Sequence, residues 1–156
     1  VLAVFLNSAN PIVLVVEDHD DTREMLKTVL TMYGCQVIEA ENGEVALRQA
    51  EQTRPDLILL DMRIPLLDGL AVTRLIRHHP TLNDVPIAAV TGNAFEREKI
   101  EARRAGCDYY LVKPLDFDRL EQLVKVVVAR ARRAPNFHSN TSLALRSRGT
   151  LALPSA

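Results

Sequence analysis

The 156 residues suffice for one hydrophobic core of ordinary domain size, and 47% hydrophobic with 25% charged residues is the balance of a soluble globular chain. A formal net charge of -1 excludes bulk attraction to nucleic acid or to an anionic membrane, so any charged cluster needs a local explanation. The apolar opening, Val1 to Leu6, is too short to span a bilayer, which takes about 20 residues, and lacks the basic flank of a secretory signal; residues 1–10 are expected to be an irregular N-terminal extension of a cytoplasmic protein.

Five predicted strands, four of them apolar runs that end in a polar residue, alternate with five amphipathic stretches. Ile12 to Val16 predicts a first strand over 12–17 that ends in Glu17-Asp18. Asp20 is then expected to N-cap a helix carrying Met25, Leu26, Val29, Leu30 and Tyr33 at helical spacing, with Gly34 at its end. A second strand over 36–40 leads to a helix that starts after Asn42-Gly43 and buries Val45, Ala46, Leu47 and Ala50. The third strand, 57–61, closes on Asp61, and its helix follows Asp68-Gly69 with Leu70, Val72, Leu75 and Ile76 before Pro80. A fourth strand over 86–91 ends in Thr91, followed by the most polar helix, from about 94 to 105, closed by Gly106. The fifth strand, 108–112, runs into Lys113-Pro114, and the last helix, 116–133, turns Leu120, Leu123, Val124 and Val127 inward. Cys35 and Cys107 read as reduced, buried thiols. Beyond 134 the pattern stops, and 134–156 is expected to be a flexible tail behind a single domain over 11–133.

Repeated β-α-β units build a parallel sheet covered by helices on both faces, and ligands sit beyond the carboxyl ends of its strands. Glu17, Asp18, Asp61, Thr91 and Lys113 all fall at such ends, so three carboxylates, a hydroxyl and an ammonium are expected to converge on one sheet edge. That set suits a divalent cation and a phosphoryl group. A carboxylate nucleophile and an anionic phosphoryl donor repel, and Mg²⁺ between them removes the repulsion. Asp18 fits a direct ligand, with Glu17 acting directly or through water; Lys113 supplies a point charge for a phosphoryl oxygen, and Thr91 a hydroxyl donor. Singly, each has an ordinary explanation: Glu17-Asp18 as a solvated loop, Asp61 as a strand-end turn residue, Lys113 as a surface lysine, Thr91 as a common strand residue. Four such coincidences at one edge are much harder to accept. His19, His78 and His79 read as loop or helix-end histidines.

The string Pro55-Asp56-Leu57-Ile58-Leu59-Leu60-Asp61-Met62-Arg63-Ile64-Pro65-Leu66-Leu67-Asp68-Gly69 resembles the phosphorylation segment of response-regulator receiver domains. Glu17-Asp18, Thr91-Gly92 and Lys113-Pro114 match that family's other markers in order and spacing, over roughly Pro11 to Arg130. The resemblance implies a flavodoxin-like (βα)5 three-layer α/β sandwich with a five-stranded parallel sheet in the order 2-1-3-4-5. It implies that Asp61 accepts phosphate from a sensor histidine kinase or phosphotransfer protein, and that Mg²⁺ is held by Asp18, Asp61 and the backbone carbonyl of Arg63. Thr91 and Tyr110 become the switch pair, although half-buried strand packing also explains Tyr110. Arg63 and Asn93 take the variable positions that tune phosphoryl lifetime, and Lys113-Pro114 is similar to the family's cis peptide. Ile64 departs from the usual Met before Pro65.

The implied activity is that of a phosphoacceptor signalling domain, not an enzyme. Its downstream protein target would read the face of helix four, strand five and helix five, a face on which a homodimer could also form. Pairs such as Arg97/Glu101 fit a solvated fourth helix equally well. Arg130, Arg132 and Arg133 more naturally complement a helix C-terminus than contact phosphates, so neither nucleic acid nor membrane is expected as a partner. Two rival readings stay open: a phosphorylation-independent adaptor, and the N-terminal fragment of a DNA-binding response regulator.

Overall fold

Continuous runs of Val, Ile and Leu suit strands buried on both faces, as at the centre of a helix-covered sheet. The computed structural model, which describes residues 10–133, has the strands β1 (Ile12–Val16), β2 (Gln36–Ala40), β3 (Leu57–Asp61), β4 (Ile87–Thr91) and β5 (Tyr109–Val112), with β2 and β5 less buried at the edges. All pair in parallel, in the order β2-β1-β3-β4-β5. The helices are α1 (Asp20–Met32), α2 (Gly43–Thr53), α3 (Gly69–His78), α4 (Glu96–Ala105) and α5 (Phe117–Arg133). This is the expected flavodoxin-like α/β fold. The expected extension and tail lie, Asn10 apart, outside the described residues. Among those residues no helix is long and apolar enough to cross a membrane.

Alternation along the strands divides the core in two. Leu14, Val16, Ile58, Leu60 and Ile87 pack against Ala46 and Ala50 of α2 and Val72 and Ile76 of α3. Val13, Val15, Leu57, Leu59 and Ala88 face Leu26 and Leu30 of α1 and Leu120, Leu123, Val124 and Val127 of α5. Cys35 belongs to the second cluster and Cys107 packs on the first, so the sheet separates them and both are free thiols.

Local expectations fail where tertiary contacts override them. Asp20 does not cap α1: it is the first helical residue, His19 occupies the cap position without a side-chain bond, and Asp20 pairs with Arg23 instead. Met25 and Leu75 are 41% and 48% exposed, because only one stripe of α1 and of α3 can face the sheet. Asn42 and Asp68 do cap α2 and α3, accepting from the N–H of Val45 and Ala71. Arg130, in the last turn of α5, donates its Nη1 to the Tyr109 hydroxyl at 2.9 Å. His79 is half-buried beside Glu51 at 3.4 Å, unlike the exposed His78.

Arg77 ties α3 to the loops that lead into β4 and β5. Its Nε donates to Gly106 O at 2.9 Å, its Nη1 to Asn83 O and Val85 O at 3.1 and 2.8 Å, and its Nη2 to Asp108 at 2.7 Å. Gly106 stands at φ +118 with its α-carbon against the arginine stem, where an added Cβ would meet Cγ at 2.6 Å. Arg77→Ala should therefore cost about 2 kcal/mol in urea unfolding, since three carbonyls and a carboxylate lose a cationic partner. Arg77→Lys should restore only a minor part, lacking the planar fork. A loss below about 0.5 kcal/mol, the level of an ordinary surface change, would contradict this role.

Candidate phosphoacceptor and cation site

Strand register brings the polar ends together. Val16 pairs with Leu60, so Glu17 and Asp61 come next on neighbouring strands; Asp61 pairs with Val90, and Thr91 with Val112. Backbone bonds carry the register past the strands, from Met62 N to Val90 O at 2.9 Å and from Lys113 N to Thr91 O at 2.7 Å. The Lys113–Pro114 peptide is cis.

At the centre, Lys113 Nζ donates to Asp61 Oδ2 at 2.7 Å and to Glu17 Oε2 at 2.8 Å. Glu17 and Asp61 are 1% and 6% exposed, so one ammonium compensates two carboxylates with little help from water. Burial pushes both carboxyl groups up. For Glu17 the Lys113 bond and bonds from the N–H and ring of His19 prevail and hold its pKa at about 2. For Asp61 burial prevails over Lys113 and the Arg63 N–H, with Glu17 adding repulsion, and its pKa stays raised. Burial alone would lower Lys113; Asp61 and Glu17 raise it instead, so the ammonium stays charged.

Asp61 Oδ1 accepts the N–H of Arg63 at 2.8 Å, while the Arg63 side chain is exposed. Asp18 points outward. His19 Nδ1 lies 3.1 Å from both Asp18 Oδ1 and Glu17 Oε1, and the ligand atoms of Glu17, Asp18 and His19 all lie within 4.8 Å of one another. Oxygen donors of this kind fit a hard divalent cation. Among the described residues this cluster holds Glu17, Asp18 and His19 but not Asp61, whose oxygens accept from Lys113 Nζ and the Arg63 N–H. The His19 contacts could not have been read from sequence, where a loop histidine carries no direction.

Thr91 is 2% exposed, and its Oγ1 accepts the N–H of Asn93 at 3.1 Å. The hydroxyl of half-buried Tyr110 donates to Asn93 O at 2.9 Å, and Asn93 Nδ2 donates to Glu98 Oε1 at 2.9 Å. Two further residues act through backbone and escaped the sequence reading. Arg23 Nη1 donates to Glu17 O at 2.9 Å, an orientation no motif signals. Gly69 lets α3 press on the end of β3: a Cβ there would lie 2.7 Å from Met62 Cα and 2.9 Å from Asp61 O. Beside β5 and α5 opens a groove of about 270 Å³ floored by Tyr110, Leu111 and Leu123, and Phe95, Ile100 and Val112 are exposed nearby in sequence.

Residues 13–125 match the family described as the response regulator receiver domain. The transcriptional regulatory protein PrrA of Mycobacterium leprae is 38% identical over 122 residues, which cover 78% of this chain but 52% of PrrA. The polar-differentiation response regulator DivK of Brucella anthropi is 33% identical over 113 residues, covering 72% of this chain and 92% of DivK. The chain thus spans about half of the first relative and nearly all of the second. Among solved structures, the receiver domain of the sensor histidine kinase PA1611 of Pseudomonas aeruginosa, with a magnesium ion coordinated in its active site cleft, is 34% identical with a TM-score of 0.72, over 78% of this chain and 99% of that one.

With divalent cations chelated, Glu17 and Asp61 should act on stability in opposite senses. Glu17, held at about 2 against an ordinary 4.5, contributes fully above 4.5, and that contribution is lost as pH falls toward 2. Asp61, raised above its ordinary 3.8, imposes a cost that is absent below 3.8 and develops as pH rises through its elevated range. Denaturant midpoints from about pH 2 to neutrality should show a flattened acid limb in Glu17→Gln and a gain in Asp61→Asn as pH rises past 3.8. Parallel curves for wild type and both variants would contradict the assignment.

Proposed function

The chain belongs to the response regulator receiver domain family of two-component signalling, and on that premise we propose that Asp61 is its phosphoacceptor. Receiver domains are phosphoacceptor signalling domains, not enzymes, and they interact with histidine kinases. The observation that carries the assignment is the Lys113 ammonium 2.7 Å from Asp61 at the carboxyl edge of the sheet, with the Arg63 N–H 2.8 Å from the other oxygen. In the transfer, an Asp61 oxygen forms the new P–O bond as the P–N bond of the donor phosphohistidine breaks; the imidazole nitrogen keeps that electron pair and takes up a proton. Asp18, Asp61 and the Arg63 carbonyl would hold Mg²⁺, with Glu17 acting directly or through water. When bound, Mg²⁺ neutralises charge between carboxylate and phosphoryl oxygens. The magnesium of the PA1611 receiver supports the same ion here.

Lys113 serves twice. It first pairs with Glu17 and Asp61, and after transfer it pairs with a phosphoryl oxygen. Thr91 then donates its hydroxyl to a second oxygen, and Tyr110 moves into the space Thr91 leaves. The α4-β5-α5 face, with its groove and exposed Phe95, Ile100 and Val112, is the surface a downstream protein or a second copy would read. Arg63 and Asn93 set the lifetime of the acyl phosphate. The domain works in the cytoplasm, with a sensor histidine kinase or phosphotransfer protein as donor. Coverage of 92% of DivK supports a protein acting without an output domain, and coverage of 52% of PrrA supports the receiver of a longer transcriptional regulator. The size of the native protein in its own cells separates these two readings.

Incubated with labelled acetyl phosphate and Mg²⁺, wild type should take up label and Asp61→Asn none, while chelation abolishes uptake; label in Asp61→Asn at the wild-type level would move the acceptor elsewhere. Exposed Arg63 is positioned to shield the acyl phosphate from water. Arg63→Ala should accordingly lose phosphate faster in a chase, and equal or slower decay would rule that out.

A further inference from the structure

His19 holds the cap position of α1, yet its side chain makes no cap bond. Its backbone is fixed on both sides: its N–H donates to Glu17 Oε1 at 3.1 Å, and its carbonyl accepts the Arg23 N–H at 2.9 Å. The ring turns back to the acid pair, with Nδ1 3.1 Å from Glu17 Oε1 and 3.1 Å from Asp18 Oδ1. The loop beneath is anchored as well. The Glu17 N–H donates to Ala40 O at 3.1 Å, and Arg23 Nη1 donates to Glu17 O at 2.9 Å. Lys113 takes Glu17 Oε2 at 2.8 Å, so Oε1 is the oxygen that faces His19. Neighbouring ligands about 2.1 Å from an octahedral ion stand about 3 Å apart. Both nitrogen–oxygen separations already match that edge, and the exposed ring leaves an ion a path in from solvent.

We infer that His19 is a specificity-determining ligand of the cation site: its Nδ1 joins the oxygens of Glu17 and Asp18 and lets first-row transition ions compete with Mg²⁺. The inference rests on the proposed cation-binding role of Glu17 and Asp18, and it adds a nitrogen donor to their oxygens. A hydrogen bond spans the same distance as the ligand edge, so the ring can exchange one for the other with little movement. Nδ1 gives up its proton to solvent, the neutral ring keeps one on Nε2, and the freed lone pair meets the ion. Mg²⁺ takes oxygen ligands and keeps several waters, so a nitrogen at the rim adds little to its binding. Ni²⁺ and Zn²⁺ accept imidazole readily and gain from it. Carboxylates alone would leave the choice of ion to oxygen chemistry; His19 changes the donor set at the point where the ion enters.

The test is competitive titration of Ni²⁺ and Mg²⁺ into the full chain without a histidine tag, as wild type, His19→Ala, His79→Ala and Asp18→Asn. In His19→Ala, Ni²⁺ should bind at least about tenfold more weakly, the least that loss of a residue serving a metal site costs. Mg²⁺ should stay within about twofold of wild type, because it draws on oxygens. The proton NMR spectrum of the Ni²⁺-loaded wild type should show imidazole signals shifted by the paramagnetic ion. They should vanish in His19→Ala and persist in His79→Ala, whose altered histidine lies beside Glu51 instead. Asp18→Asn should weaken both ions. Unchanged Ni²⁺ affinity in His19→Ala, or shifted signals that survive there, overturns the role of His19 and leaves the cation site standing. A preference altered only through tighter Mg²⁺, the effect of removing a cationic ring, overturns it equally. Wild type that binds neither ion, or Asp18→Asn that binds both as wild type does, overturns the cation site and the role of His19 together.

Discussion

A single ammonium shared by two buried carboxylates is the contact on which the site depends. Either Glu17 or Asp61 alone, at the end of an apolar sheet, would lose most of its hydration with no return, and two together would repel. Lys113, 2.7 and 2.8 Å from them, makes the cluster tolerable while leaving it one positive charge short. That shortfall is chemically useful. A cluster with a net negative charge attracts a divalent cation, and once a cation is in place the lysine can turn to another anion. The outward Asp18, beside His19, extends the negative surface toward solvent, where a cation arrives.

The sheet makes this contact possible between residues 52 and 96 positions apart in the chain. Parallel strands in register all deliver their carboxyl ends to one edge, so Glu17, Asp61, Thr91 and Lys113 need no long loops to meet. Short connections then add direction. The Arg63 N–H fixes one oxygen of Asp61, and Gly69 allows α3 to lie against the backbone that carries it. Rigid packing on both faces of β3 contrasts with the open β4–α4 connection and the sparsely packed α4. Thr91, at the end of β4, joins the two regions through its hydroxyl, which accepts the N–H of Asn93 at 3.1 Å.

Much of this was legible in the chain because apolar runs with no polar gap admit few structures. The five strands, their polar ends and the helix starts after Asn42 and Asp68 follow from local pattern, and the order of the strands followed from the resemblance, not from the residues. Side-chain partners were less legible. Asp20 looked like a cap because its residue type suits one, yet Arg23 and the placement of His19 decide the start of α1. Met25 and Leu75 looked inward because periodicity cannot say how wide the buried stripe is. Arg77 carried no signal in the sequence, and only the folded loops reveal the carbonyls it gathers. The Asn93–Glu98 bond depends on the turn after β4, which no propensity specifies.

The most direct test of the central claim is chemical trapping of the acyl phosphate. An aspartyl phosphate reduced by borohydride becomes homoserine, so protein phosphorylated in the presence of Mg²⁺, reduced and analysed by peptide mass spectrometry reports which carboxylate carried the group. The account predicts homoserine at position 61 alone. Homoserine at 17 or 18, or at an aspartate away from this edge, would contradict it.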